Sequence, residues 1–208
     1  MKIIRQSYEI LSYPDNLEKT IEAAGRTCYQ SQEKITYNSA EEFCGRMVKA
    51  GHHAMIEFGN IIVRFITNRG VTHELVRHRL ASFAQESTRY VKYGEDMEFI
   101  EPVWIGNIPQ DQQLMFVNML ETSAKNYTDL LDQGRKPQEA REVLPNALKT
   151  EIVVNTNVRE WRHIFTLRCS KAAHPQIREL MIPVRDDFAK RWPSLFGDLK
   201  KEIQDDRD

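Results

Sequence analysis

Apolar positions along the chain recur with period two in some windows and every three to four residues in others, and the switches between these periods lay out the expected elements. Residues 2–11 read as a strand. Residues 16–28 carry Leu17, Ile21, Ala24 and Cys28 at helical intervals, with Asp15 as the expected cap. Ser39-Ala40-Glu41-Glu42 has the form of a capping box opening a short helix with Phe43 and Met47 inward, which Gly51 ends. Residues 57–68 alternate and are rich in Ile, Val and Phe, as a strand should be, and Arg69-Gly70 turns the chain into a helix expected over residues 71–83. A loop is expected over residues 84–87 and extended chain over 88–93 and 97–104, which are aromatic and β-branched.

The second half is more helical. Residues 110–133 set Phe116, Leu120, Ala124, Tyr127 and Leu131 on one face of a long helix that Gly134 stops, and Pro137 starts a short helix carrying Arg141. Residues 152–154 read as a strand. Residues 157–170 form a helix with Val158, Trp161, Phe165 and Cys169 as its buried stripe. Asn157 and Arg168 share one rim of that stripe, and Arg159 and His163 the other. A last helix over residues 175–191 is expected to kink at Pro183. The chain has no internal repeat or linker and ends in a charged tail, KKEIQDDRD, expected to fray. The fold class this implies is α+β: an antiparallel or mixed sheet packed by long helices, in a single domain over residues 1–208.

Composition narrows the function. With 41% hydrophobic and 28% charged residues, the 208-residue chain is that of an ordinary globular protein. No apolar stretch approaches the roughly 20 residues needed to span a bilayer, and the start lacks the apolar core of a signal peptide, so no membrane association is expected. The cysteines, Cys28, Cys44 and Cys169, are odd in number and outside any CxxC pattern, which fits a cytoplasmic protein with small core cysteines rather than a disulfide or zinc framework. A net charge of −1 offers no field for a nucleic acid. The cations are nonetheless uneven. Arginines outnumber lysines 17 to 12 and gather at Arg77, Arg79 and Arg89, and again at Arg141, Arg159, Arg162 and Arg168. Arginine suits bidentate recognition of phosphates and carboxylates, so a small anionic ligand is indicated.

The densest polar segment runs from Arg77-His78-Arg79 through Gln85, Glu86 and Ser87 to Thr88, Arg89 and Tyr90. On a continuous helix, with about 100° between successive residues, Arg77 and Arg79 would point almost oppositely, serving two ligands or two subunits. The plainer alternative is a solvated basic helix end. His73-Glu74 followed by His78 superficially suggests a zinc-protease helix, but histidines five apart lie about 140° apart and cannot share an ion, so no metal is expected. A non-catalytic nucleotide- or RNA-binding module could use the same arginines with Tyr90, Tyr93 and Trp161 as stacking platforms, although lone aromatics at these spacings are usually core.

Arg77-His78-Arg79, seven residues, then Ser87 matches the signature of the flavin-dependent thymidylate synthases, and Ser87-Thr88-Arg89-Tyr90 resembles the continuation of that signature. Gly51-His52 followed by Glu57, Ala140-Arg141 running to Pro145, and Asn157-Val158-Arg159 through Trp161 and His163 to Arg168 resemble further family segments in the family's order. The similarity spans about residues 26–195 and implies a fold like that of the thymidylate synthase complementing proteins.

The resemblance implies a reaction and a division of labour. Deoxyuridine monophosphate (dUMP) is reductively methylated to thymidine monophosphate (dTMP), with 5,10-methylenetetrahydrofolate as carbon donor and FAD, reduced by NADPH, as hydride source. FAD would be held by Ala54, Arg77, His78, Arg79, Gln85, Asn157, Arg159 and His163. The nucleotide would be held by Glu74, Leu75, Val76, Arg77, Gln85, Glu86, Ser87, Thr88, Arg89, Arg141 and Arg168, with Ser87 and Arg89 near its phosphate. Arg168 is the catalytic residue, set against the uracil ring, and His52 lies on the folate side. The assembly implied is a homotetramer with shared active sites.

Elementary chemistry agrees with this allocation. Adding a one-carbon unit at uracil C5 builds negative charge on the ring, and an arginine can stabilise it without losing its proton. The hydride route needs no enzyme thiolate, which suits a chain whose cysteines neighbour no candidate base. Some positions depart from the family: Ala84-Gln85 stands where many members carry Asn-Glu, Ala54 where a hydroxyl residue is common, and His163 where some carry Asn. The role of His174 is left open.

Overall fold

The computed structural model describes residues 1–94 and 96–200. In chain order its strands and α-helices are β1 (Lys2–Ile4), β2 (Ser7–Ser12), α1 (Leu17–Thr27), α2 (Ser39–Lys49), β3 (Asn60–Asn68), α3 (Arg69–Leu75), β4 (Ser82–Gln85), β5 (Glu98–Ile100), α4 (Gln110–Asp132), α5 (Pro137–Ala140), β6 (Lys149–Asn157), α6 (Val158–Arg168), α7 (Pro175–Arg191) and α8 (Pro193–Phe196). The class is α+β. Strands β1 and β5 pair in parallel, and the remaining four form a sheet in the order β2-β3-β6-β4.

The chain contributes to two compact units, each assembled from segments distant in sequence. The first takes Met1–Ser7, Phe65–Arg77 and Phe83–Val153; the second takes Tyr8–Arg64, His78–Ser82 and the chain from Val154 onward. The first is built on α4. Its core joins Leu120 and Tyr127 of that helix to Met97, Phe99, Ala140 and Leu148, with Phe116, Ala124 and Leu131 against it, so the predicted face is the buried one. The core of the second is aromatic. Trp161 and Phe165 of α6 pack with Phe188 of α7 and Phe196 of α8 at ring separations of 5.2–6.0 Å. The Trp161 indole N–H, buried, donates to the Ile61 carbonyl at 3.0 Å, satisfying its one polar atom.

Both long strands run straight into helices through an asparagine. Asn68 at the end of β3 accepts from the Val71 N–H, and Asn157 at the end of β6 accepts from the Glu160 N–H, each at 2.9 Å. These are side-chain N-caps that satisfy donors the first helical turn leaves unpaired. Gly51 and Gly134 sit at φ of +71° and +85°, where a side chain would be strained, and end α2 and α4 as expected.

Several elements differ from their predicted form. The strand expected over residues 2–11 is two strands separated at Arg5-Gln6. The strand expected from residue 57 begins at Asn60, because His53–Glu57 is a 3₁₀ turn. The helix expected over 71–83 stops at Leu75, so Arg77, His78 and Arg79 lie outside it and the opposed directions derived for a continuous helix do not apply. Residues 84–87, expected as loop, contain the end of β4; 88–93 carry no strand; and of 97–104 only Glu98–Ile100 is one. Strand β6 runs over nine residues instead of the three expected, because its buried face mixes Thr150 and Thr156 with Ile152 and Val154 while apolar Val153 stands on the half-buried face, which hides the alternation. Asn16, not Asp15, precedes α1, and Ser39 forms no capping box; its hydroxyl donates to Glu22 at 2.8 Å. Met47 is half-buried, and Cys28, expected in the core, is exposed. The expected frayed tail lies, from residue 201 on, outside the described residues.

Candidate functional site

In the second unit, α6 and the segment after α3 converge on His78. Its imidazole is 4% exposed. Arg168 Nε donates to Nε2 at 3.0 Å, and Nδ1 lies 3.1 Å from Glu160 Oε1. A guanidinium can only donate, so Nε2 must be the unprotonated nitrogen and the His78 proton sits on Nδ1, donated to Glu160. His78 is therefore a neutral imidazole of fixed tautomer. Burial and the adjacent Arg168 cation, with His163 beyond it, hold its pKa down to about 4. A second proton would have to go on Nε2, where it would break the bond to Arg168 and face its charge. Burial raises the pKa of Glu160, against the opposing pull of His163 and Arg159.

His163 stands edge-on to His78, with ring centroids 5.6 Å apart. Potential ligand atoms of His78, Glu160 and His163 lie within 4.8 Å of one another, a spacing open to a metal ion. Both nitrogens of His78 are already engaged, however, and a divalent ion would displace both bonds and sit beside a guanidinium. Arg159, exposed, pairs with Glu57 at 2.6 Å, tying α6 to the 3₁₀ turn that carries Ala54. Arg79 is also exposed. His52 and Ala54 line a cavity of about 640 Å³ together with Arg26, Tyr29, Arg46 and Met55. Arg162, from the second arginine cluster, is structural: it makes a two-pronged pair with Asp198 at 2.7 and 2.6 Å and donates to the Leu195 carbonyl. His174 caps α7, its Nδ1 accepting from Gln176 N–H at 3.2 Å.

Of the residues expected at the flavin, Arg77 and Gln85 belong to the first unit and Ala54, His78, Arg79, Asn157, Arg159 and His163 to the second. Arg79, Arg159 and His163 are accessible and offer two guanidiniums and an imidazole, a donor set suited to a diphosphate. The residues present fit FAD. Asn157 spends its side-chain oxygen on the helix cap.

In the first unit, the end of β4 and the segment after it are held by side-chain bonds. Gln85 Nε2 donates to Thr72 Oγ1 at 3.0 Å and Thr150 Oγ1 at 3.4 Å. The Glu86 carboxylate takes the Tyr93 hydroxyl at 2.5 Å and Lys149 Nζ at 3.3 Å, and Lys149 also reaches Glu151 at 2.8 Å. Burial, then the bond to Glu86, pushes the Tyr93 hydroxyl pKa up. Burial opposes the charge on Lys149, but its bonds to Glu151 and Glu86 prevail and raise its pKa. Arg141 Nη1 donates to Thr88 Oγ1 at 3.3 Å, and Arg89 Nε to Gln138 Oε1 at 3.1 Å. Arg141 thus stands beside the buried Thr88 hydroxyl, and the Ser87 hydroxyl accepts from the Arg89 backbone N–H at 3.3 Å. Glu74 and Leu75 close α3, with Val76 and Arg77 just beyond. The Leu75 side chain is buried in the core, so only its backbone could face a ligand.

Sequence reasoning missed Glu160, Tyr93 as a partner of Glu86, and Lys149. Glu160 had one signal: it lies four residues before buried Ile164, where an acid on an apolar face needs a partner.

The thymidylate synthase complementing protein family model matches residues 9–194. The flavin-dependent thymidylate synthase of Corynebacterium glutamicum is 35% identical over 207 residues, covering 90% of this chain and 82% of its own. That of Geobacter sulfurreducens is 31% identical over 197 residues, covering 91% and 84%. Among solved structures, the UMP/dUMP methylase PolB of Streptomyces cacaoi bound with 5-Br dUMP superposes with a TM-score of 0.80 at 21% identity, covering 95% of this chain and 96% of that one. The likeness to PolB is one of fold. The chain belongs to the flavin-dependent thymidylate synthase family.

Proposed function

We propose that this protein is an enzyme that methylates dUMP to dTMP, with FAD bound in the second unit and the nucleotide phosphate held by the Ser87–Arg89 segment and Arg141 of the first. The observation that carries the reading is Arg168: a fixed guanidinium, held by Nε on a neutral histidine, on the helix whose residues match the family's segment. NADPH and 5,10-methylenetetrahydrofolate complete the chemistry, FAD carrying hydride from the first and the folate giving the carbon. Arg168 stabilises negative charge that builds on the uracil ring, and His78 keeps its guanidinium plane fixed. Arg89 and Arg141, with the Ser87 and Thr88 hydroxyls, bind the phosphate. His52, exposed beside Ala54, takes the folate side. No cysteine nucleophile is required. The buried Cys44 and Cys169 thiols, pushed up to about 12, supply no thiolate at neutral pH.

The protein acts as one flavin-dependent thymidylate synthase-like domain and, we propose, in the cytoplasm; among the described residues no helix is long and apolar enough to cross a membrane. A homotetramer with shared active sites is the proposed assembly. It is supported by α4, where Leu114, Met115 and Met119 are 59%, 60% and 62% exposed, apolar side chains left uncovered within two turns of helix. Light scattering should give four times the chain mass; a monomer would overturn the assembly.

The cofactor assignment is tested by incubating the protein with FAD, removing excess by gel filtration, and recording the visible spectrum before and after NADPH with dUMP under anaerobic conditions. A retained flavin spectrum that bleaches is expected, and Arg168→Ala should keep the flavin. Failure of the folded protein to retain flavin would return the arginine clusters to a simple phosphate site.

A further inference from the structure

We propose that Glu160 is a positioning residue for Arg168, acting through His78: by accepting the Nδ1 proton it leaves Nε2 as the acceptor that holds the guanidinium. The proposal rests on the reading of Arg168 as the cation at the uracil ring.

Glu160 and Arg168 stand at opposite ends of α6, eight residues and about 12 Å of helix rise apart. Side chains on a helix lean toward its N-terminus, so Arg168 reaches back along the axis toward the end that carries Glu160. The His78 ring fills the remaining gap, with Nδ1 at 3.1 Å from Glu160 and Nε2 at 3.0 Å from Arg168. Glu160 is 6% exposed, and its backbone N–H is fixed by the Asn157 cap at 2.9 Å. The order of dependence follows from proton counts. A neutral imidazole has one N–H and one acceptor, and only the Nδ1–H form lets Nε2 accept from Arg168. Without an acceptor at Glu160 the buried Nδ1–H is left unsatisfied and the ring loses its anchor on that side, so it can turn out of line and the bond that Nε2 accepts from Arg168 is weakened or lost. A carboxylate is not essential for this task. The amide oxygen of a glutamine can accept the same proton, whereas an apolar leucine cannot.

The test compares wild type with Glu160→Leu and Glu160→Gln in the FAD-loaded protein. Imidazole nitrogen NMR at neutral pH should find His78 neutral, protonated at Nδ1 and accepting a hydrogen bond at Nε2 in wild type and in the glutamine variant, whereas in the leucine variant the Nε2 signal should move to that of a nitrogen accepting no hydrogen bond. With dUMP as substrate, the leucine variant should keep its flavin and a KM within a few-fold of wild type while kcat falls about 100-fold, the scale of a slightly misplaced reacting group. The glutamine variant should restore most of kcat. Wild-type His78 protonated at Nε2, a leucine variant with normal kcat, or a glutamine variant as impaired as leucine would each overturn the proposal. A wild-type protein that makes no dTMP would contradict the function reading alone, because the NMR comparison tests the Glu160–His78–Arg168 order without turnover.

Discussion

His78 shows how much of the candidate site depends on a single proton. Its pKa is lowered from 6.5 to about 4, so between those values the unfolded chain binds a proton that the folded chain refuses. Stability must therefore rise with pH through that window and, for this group, level off above about 6.5. The full effect is on the order of 3 kcal/mol. Denaturant unfolding at pH 7 and at pH 4.5 should reveal a loss at the lower pH that is reduced in His78→Phe; an equal loss in both would contradict the assigned state. At this scale sequence legibility was uneven. The motif Arg77-His78-Arg79 was visible because its residues are contiguous. The partnership of His78 with Glu160 was not, because its members stand 82 positions apart and no local period links them.

The elements that matter most are the two nine-residue strands β3 and β6 and the helices they feed. Helix α6 was predicted almost to the residue because Val158, Trp161, Phe165 and Cys169 follow a clean helical period and all are buried. The helix expected over 71–83 failed where the period misled: Leu80 continues the apolar spacing yet is 74% exposed, in the segment between α3 and β4. Strand β6 exceeds its expected length because Thr150 and Thr156 stand on its buried face and Val153 on the half-buried one, and the charge on that half-buried face holds the chain that continues β4. Lys149 sits between Glu86 and Glu151, so Lys149→Met would leave two carboxylates facing each other with no cation between them. The Glu86–Arg89 segment should loosen, raising KM for dUMP by about tenfold, equivalent to about 1.4 kcal/mol, while flavin affinity stays unchanged. An unchanged KM in steady-state assays would remove Lys149 from the support of that segment.

On the scale of the whole molecule, the residues expected by resemblance at each ligand are drawn from both units, with Arg77 and Gln85 of the flavin set in the first and Arg168 of the nucleotide set in the second. His52, Ala54, His78, Arg79, Asn157, Arg159, His163 and Arg168 fall in the second; Glu74 to Arg77, Gln85 to Arg89 and Arg141 fall in the first. That sorting was not legible from element prediction, since each unit is stitched from segments that the chain visits in alternation. The α+β class was legible, because amphipathic periods over α4, α6 and α7 survive any error at their ends. The central claim is that the gathered cations serve methylation of a nucleotide rather than mere phosphate binding. Its most direct test is chromatographic analysis of dUMP incubated with the FAD-loaded protein, NADPH and 5,10-methylenetetrahydrofolate. The account predicts dTMP that disappears when any one component is omitted and in Arg168→Ala; unchanged dUMP from a protein that retains flavin and binds the nucleotide would contradict it.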